Sequence, residues 1–264
     1  MNTIQKVLAF PLAVAACGYL ALCLYLFLAQ RSYLYFPTPR MHMVPAMQLA
    51  RDGADLVVSM RPAGGTHAIV YLGGNAEDVS QAVPQLADVF ESAAIYALHY
   101  RGYGGSSGKP TERDNVGDAL ALFDAISRKH AQVTLVGRSL GSGVAIQLAS
   151  RRRVQRLVLV TPYASVAELA ARHFRYVPVN WLLQDRYDSW KHAPAIDAPT
   201  TVIAAERDDV IPLASTRRLH GHFKPGIARL HVIAGADHND VLLHPEYLRL
   251  LHDIGRAGVT IPTL

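Results

Sequence analysis

Cysteine is almost absent from this 264-residue chain, which has only Cys17 and Cys23. Both fall inside one apolar run near the N-terminus. The remainder therefore has no disulfide, no thiolate nucleophile and no cysteine-based zinc site. Charge is also sparse, at 18% of residues, while half of the residues are hydrophobic, a balance that excludes intrinsic disorder. Glycine (19) and proline (15) stay near ordinary usage, so a collagen-like or low-complexity chain is excluded, and no internal repeat is visible. The 26 Lys and Arg and 21 Asp and Glu are spread along the sequence, which excludes a multi-spanning membrane protein. The net charge of +5 does not indicate nucleic acid. Its clearest cluster, Arg151-Arg152-Arg153 with Arg156, lacks interleaved aromatics and suits a helix C-terminus.

Long apolar runs are missing too, with one exception. From Val7 to Ala29 the sequence reads VLAFPLAVAACGYLALCLYLFLA, 23 residues without a charge. As a helix this stretch reaches about 34 Å, enough for a hydrocarbon core of about 30 Å. It largely accounts for the positive mean hydropathy of +0.13. A cleaved signal peptide has a shorter apolar region, about 7–15 residues. Val14-Ala15-Ala16-Cys17 resembles a lipobox, but the sequence stays apolar after Cys17 where a lipoprotein becomes polar. The reading is an uncleaved single-pass anchor over residues 1–30 and one catalytic-sized domain over 31–264. Lys6 on one side and Arg31, Arg40 and Arg51 on the other leave the orientation, and the side on which the domain lies, undetermined.

Past the anchor, short apolar runs alternate with helix-spaced segments. Strands are expected at 67–72, 93–100, 132–136, 156–160, 200–205 and 228–233, with a helix over 114–129 and another opened by Leu140. This alternation predicts a three-layer α/β sandwich with a mostly parallel sheet. Residues 162–199 are more aromatic and irregular, and read as a short cap excursion over the sheet.

One junction carries chemistry. Gly137-Arg138-Ser139-Leu140-Gly141 is G-x-S-x-G between a β-branched strand and a helix, the setting of a nucleophile elbow. Glycines two residues from the serine relieve crowding in a sharp turn, and the Leu140 N–H at the helix start can face an oxyanion. A serine nucleophile needs a base, and the base an orienting acid. Of twelve histidines, His238 lies in the turn Gly235-Ala236-Asp237-His238-Asn239-Asp240 just after the last expected strand, at the sheet edge where Ser139 also lies. For the acid, Glu206, Asp208 and Asp209 all follow the strand at 200–205. The order Ser, acid, His matches neither chymotrypsin nor subtilisin, and is that of α/β-hydrolases.

These segments, together with QRSYLYFP, YLGGNAED, HYRGYGGSSGKPTE, TPYASVAELA, NWLLQDRYDSW, ERDDVIP and GADHND, make the chain similar to α/β-hydrolases of the Bem46-like group, with its ABHD12-, ABHD13- and ABHD17-type members. The resemblance covers almost the whole chain. It implies a Ser-Asp-His triad in which the acid stands four residues before a proline, which selects Asp208 over its neighbours. It also implies an oxyanion hole from Asn75 and Leu140. Two positions depart from the pattern. Gly73 replaces the histidine of the usual His-Gly-Asn-Ala loop, removing a side chain that braces it, and His99 stands where an aspartate is common. The activity implied is a membrane-anchored serine hydrolase that cleaves carboxylic esters or thioesters through an acyl-enzyme, with no metal or organic cofactor. Its substrate would be an acyl ester or thioester, such as a lipid or an acylated protein. A serine peptidase of the same fold and a non-catalytic membrane scaffold are the alternatives.

Overall fold

An unbroken helix, α1 (Thr3–Leu34), leads into a hairpin of β1 (Ala46–Arg51) and β2 (Ala54–Arg61) and then β3 (His67–Leu72). Next come α2 (Ala82–Val89), β4 (Ala94–Leu98), α3 (Glu112–Ser127), β5 (Gln132–Arg138), α4 (Leu140–Ala149) and β6 (Arg156–Val160). The cap follows as α5 (Val166–His173), α6 (Val179–Leu182) and α7 (Ser189–His192). The chain then returns through β7 (Thr200–Ala205), α8 (Leu213–His220), β8 (Ala228–Ile233) and α9 (Pro245–Ala257). This computed structural model describes residues 3–41 and 44–257, so the outermost residues of the two expected units, 1–2 and 258–264, lie outside it.

The strands form one eight-stranded sheet in the order β1-β2-β4-β3-β5-β6-β7-β8. Pairing is antiparallel from β1 through β2 to β4 and parallel from there on, as the strand–helix alternation predicts. Along β3 the side chains alternate between two cores: Ala68, Val70 and Leu72 pack with α3 and α4, Ile69 and Tyr71 with α2 and α9. Both faces are covered, which is why the central strands read as continuous apolar runs.

The hairpin is an addition to the sequence reading, which contains no strand before His67. In β1 exposed and half-buried side chains alternate, so the strand carries little apolar signal. Its mark is the Asp52-Gly53 turn, with φ of 46° and 74°, the left-handed pair that closes a two-residue hairpin. The cap is more regular than the sequence suggested, since three short helices carry the aromatic segment. α1 also runs past the residue 30/31 division without a break. Tyr35, just beyond it, is buried, with its hydroxyl 3.0 Å from that of Tyr187.

His99 follows β4 and is buried, with Nε2 2.8 Å from Ser59 Oγ while its carbonyl accepts from Ser106 Oγ at 2.9 Å. The loop folds over it at Gly104 (φ 55°), where a Cβ would lie 1.8 Å from His99 Nδ1, so only glycine fits. Burial lowers the His99 pKa to about 4, against a smaller opposing pull from Asp78. The group is lowered in the folded state, so its contribution is complete above its unfolded value of about 6.5 and is lost as pH falls towards 4. The loss amounts to about 3 kcal/mol. Denaturant unfolding of the detergent-solubilised chain should show this fall, and His99→Gln should flatten it. An unchanged pH slope in His99→Gln would assign the acid sensitivity elsewhere.

Candidate active site

β5 ends at Arg138 and α4 begins at Leu140, leaving Ser139 alone to make the turn. Its backbone sits at φ 48°, ψ −118°, a conformation that costs a non-glycine residue roughly 1–3 kcal/mol. The turn closes because the flanking glycines leave no bulk. A Cβ on Gly141 would lie 2.0 Å from the Leu72 carbonyl, and one on Gly137 2.7 Å from Ala145 Cβ. The Ser139 N–H donates to Val160 O at 2.9 Å, tying the turn to the neighbouring strand β6.

The loops after β7 and β8 reach the same sheet edge. His238 Nε2 lies 3.0 Å from Ser139 Oγ, and His238 Nδ1 lies 2.8 Å from Asp208 Oδ2. Both His238 and Asp208 are buried. Asp208 Oδ1 accepts from the backbone of Val210 (3.0 Å) and Ile211 (2.6 Å), which fixes the carboxylate. Asp209 and Glu206 are exposed, and Glu206 is turned to the Gly235 N–H at 2.8 Å. With Nδ1–H given to Asp208, the neutral imidazole presents a lone pair to the serine hydroxyl. A sharp strand–serine–helix turn, with an acid and a histidine supplied by later strands, is the arrangement of a nucleophile elbow.

The profile described as alpha/beta hydrolase fold matches residues 68–192. Rv2307c, an uncharacterized protein of Mycobacterium tuberculosis, is 31% identical, with 98% of this chain and 97% of that protein covered. The chain belongs to the α/β-hydrolase family. Another relative in this family, the lysophosphatidylserine lipase ABHD12 of Macaca fascicularis, is 28% identical over 80% of this chain. The match spans 62% of that longer protein. Among solved structures, the esterase Pf2001 of Pyrococcus furiosus superposes with a TM-score of 0.68 at 18% identity, covering 84% of this chain and 96% of its own.

In this hydrolase the loop after β3 carries Asn75, and Leu140 is the first residue of α4, whose leading N–H groups have no partner within the helix. A Cβ on Gly74 would fall 3.4 Å from Ser139 Cβ, so the loop lies directly against the serine. Its brace is Glu77. A Cβ on Gly73, where the resemblance implied a histidine, would meet Val79 Cγ1 at 2.3 Å and the Glu77 carboxyl carbon at 3.3 Å. Glu77 Oε2 accepts from Gly74 N at 2.6 Å and from an Arg138 guanidinium nitrogen at 2.9 Å, and Oε1 accepts from the Tyr71 hydroxyl at 2.5 Å. Burial alone would weaken the Arg138 charge, but Glu77 beside it raises the pKa above its ordinary value. The Asn75 side chain is held as well: Oδ1 accepts from Phe36 N (2.9 Å) and from the Tyr103 hydroxyl (2.7 Å), and Nδ2 donates to Leu34 O at 2.7 Å. Burial pushes the Tyr103 hydroxyl up to about 12, so it stays a donor at neutral pH.

Neither Glu77 nor Arg138 received a role from the sequence, although an acid three residues after Gly74 and an arginine beside the serine were there to be paired. A cavity of about 450 Å³ opens over Ser139 and His238, and its lining includes polar Gln81, Gln85 and Arg138 together with apolar Leu242 and Leu243. Among the described residues no cluster of His, Cys, Asp or Glu is arranged to hold a metal ion.

Removing one partner of a buried ion pair is costly, whereas replacing both is far cheaper. Glu77→Ala is expected to lower the unfolding free energy by about 3–5 kcal/mol. Glu77→Leu combined with Arg138→Met should recover more than half of that loss in denaturant titration. A double variant as unstable as the single one would mean that the Gly74 and Tyr71 bonds, not the charge pair, hold the loop.

Proposed function

We propose that this hydrolase cleaves carboxylic esters or thioesters through an acyl-enzyme formed on Ser139. The observation that carries the proposal is the continuous relay from Ser139 Oγ through His238 to Asp208, at 3.0 and 2.8 Å, beneath an open cavity. Ser139 Oγ attacks the acyl carbon as its proton passes to His238 Nε2. Asp208 holds the imidazole in the right tautomer and stabilises the imidazolium. The Leu140 and Asn75 N–H groups receive the developing oxyanion, each worth about 3–4 kcal/mol by comparison with other hydrolases. Collapse of the tetrahedral intermediate expels the alcohol or thiol, which takes the proton from His238. Water then attacks the acyl-enzyme with His238 again as base, releasing the acid and restoring Ser139.

The relatives supply the direction for substrate class. One of them is named a lysophosphatidylserine lipase, and the cavity is lined by both polar and apolar side chains, which suits an amphipathic ester such as a lipid with one acyl chain. The N-terminal helix fits that reading. From Phe10 to Leu34 it is long and apolar enough to cross a membrane, and little of it is buried within the protein. Residues 1–30 serve as the anchor and 31–264 as the hydrolase domain, which places the cavity beside its substrate's own phase.

A fluorophosphonate probe is expected to label the purified protein, and Ser139→Ala should abolish the label; persistent labelling would remove Ser139 from the reaction. Asp208→Asn should lower kcat on p-nitrophenyl esters by about 10³–10⁴-fold, as loss of the orienting acid does elsewhere. Asp209→Asn should leave the rate nearly unchanged, and the opposite ranking would reassign the acid.

A further inference from the structure

The cap runs alongside α1 over a long stretch. The Tyr19 hydroxyl donates to Tyr176 O at 2.8 Å. Gln30 Nε2 donates to Leu182 O at 3.2 Å, and the Gln184 N–H donates to Gln30 Oε1 at 2.7 Å. Arg31 Nε meets Asp185 Oδ2 at 3.0 Å. Cap residues 176–185 therefore lie beside helix residues 19–31, about 18 Å of helix axis. Between the two is a cleft of about 120 Å³, lined by Leu26 and Leu34 of the helix and by Phe174, Val177 and Leu182 of the cap.

That contact sets the depth of the cap. A hydrocarbon core of about 30 Å takes about 20 helical residues, so one that begins just after Lys6 ends near Leu26. Tyr19 then lies inside it, and the Tyr176 carbonyl is bonded to Tyr19. Sliding the helix outward until the hydrocarbon ended at Gly18 would carry Lys6 about 12 Å into it, where lysine is strongly disfavoured. The outward face of α1 agrees, because Leu20, Leu24 and Leu28 remain 65%, 59% and 72% exposed and need covering along the stretch the cap accompanies.

The cap surface at this level is built for such a setting. Trp181 is 89% exposed, Tyr176 88% and Phe174 40%, three solvent-facing aromatics within one short cap segment. Tryptophan and tyrosine favour the membrane–water boundary. Arg172 and Arg175, also exposed, belong to the same stretch of chain, and their stems are long enough to return the charge to anionic headgroups.

Given the anchor reading above, we propose that Phe174, Tyr176 and Trp181 form a second membrane-contacting surface, seated in the headgroup–acyl boundary of the bilayer that α1 crosses. The cleft between helix and cap then opens towards lipid.

Tryptophan fluorescence tests this directly, because Trp181 and Trp190 are the only two in the chain. Trp190 is half-buried, its ring 5.7 Å from that of His222. The full chain carrying Trp190→Phe would be reconstituted into phosphatidylcholine–phosphatidylglycerol vesicles with acyl chains brominated near the headgroup, and floated. Seating at a depth of about 5–10 Å should quench Trp181 emission by about half or more and shield it from aqueous iodide. The Trp181→Phe protein, reporting only Trp190, should show neither effect. Flotation with Trp181 unquenched by bromolipid and open to iodide would overturn the cap proposal while leaving the anchor in place. Protein that fails to float would overturn the anchor reading and the cap proposal with it.

Discussion

The fold is organised around a serine backbone that ordinary residues avoid. Ser139 at φ 48° is strained, and the strain persists because Gly137 and Gly141 let α4 and the end of β3 close in from both sides. The parallel sheet supplies the rest of the constraint. Connections return each strand in the same sense, so the loops after β3, β5, β7 and β8 emerge at one edge. Asn75, Ser139, Asp208 and His238 meet there although they span 163 residues of sequence. None of them would be near the others without that repeated direction.

Much of this was legible in the chain. The central strands carried their own signal, because a strand covered on both faces must be apolar throughout. The elbow was legible because its glycines are a steric necessity. The edge hairpin was not, since β1 is half exposed and its one clear mark is the Asp52-Gly53 turn. Residues alone left Glu206, Asp208 and Asp209 open. In the fold the carboxylate that faces inward is Asp208, held by two backbone N–H groups, which supports its proposed role as the acid. Glu77 shows a different limit. Gly73 read as the loss of a brace, yet the space it leaves is occupied by Val79 and by a carboxylate four residues on, bonded to three partners.

His99 is a second replacement resolved by its surroundings. A neutral imidazole bonded to Ser59 fills the buried position where the resemblance implied an aspartate, and Gly104 is the residue that makes room for the ring. The substitution exchanges a buried acid for a group that resists charging, so the loop above it keeps its shape at neutral pH without a counter-ion.

The unbroken passage from α1 into the domain has a mechanical meaning. Leu34 at the end of α1 and Phe36 just beyond it are bonded to the side chain of Asn75, and Arg31 is paired with Asp185 of the cap. With no flexible tether between helix and catalytic loop, the tilt of one is the tilt of the other. With α1 as the membrane anchor proposed above, an enzyme mounted in this way could not reach about for its substrate. On that reading it would work at a single height above the bilayer, with membrane thickness a variable of its activity.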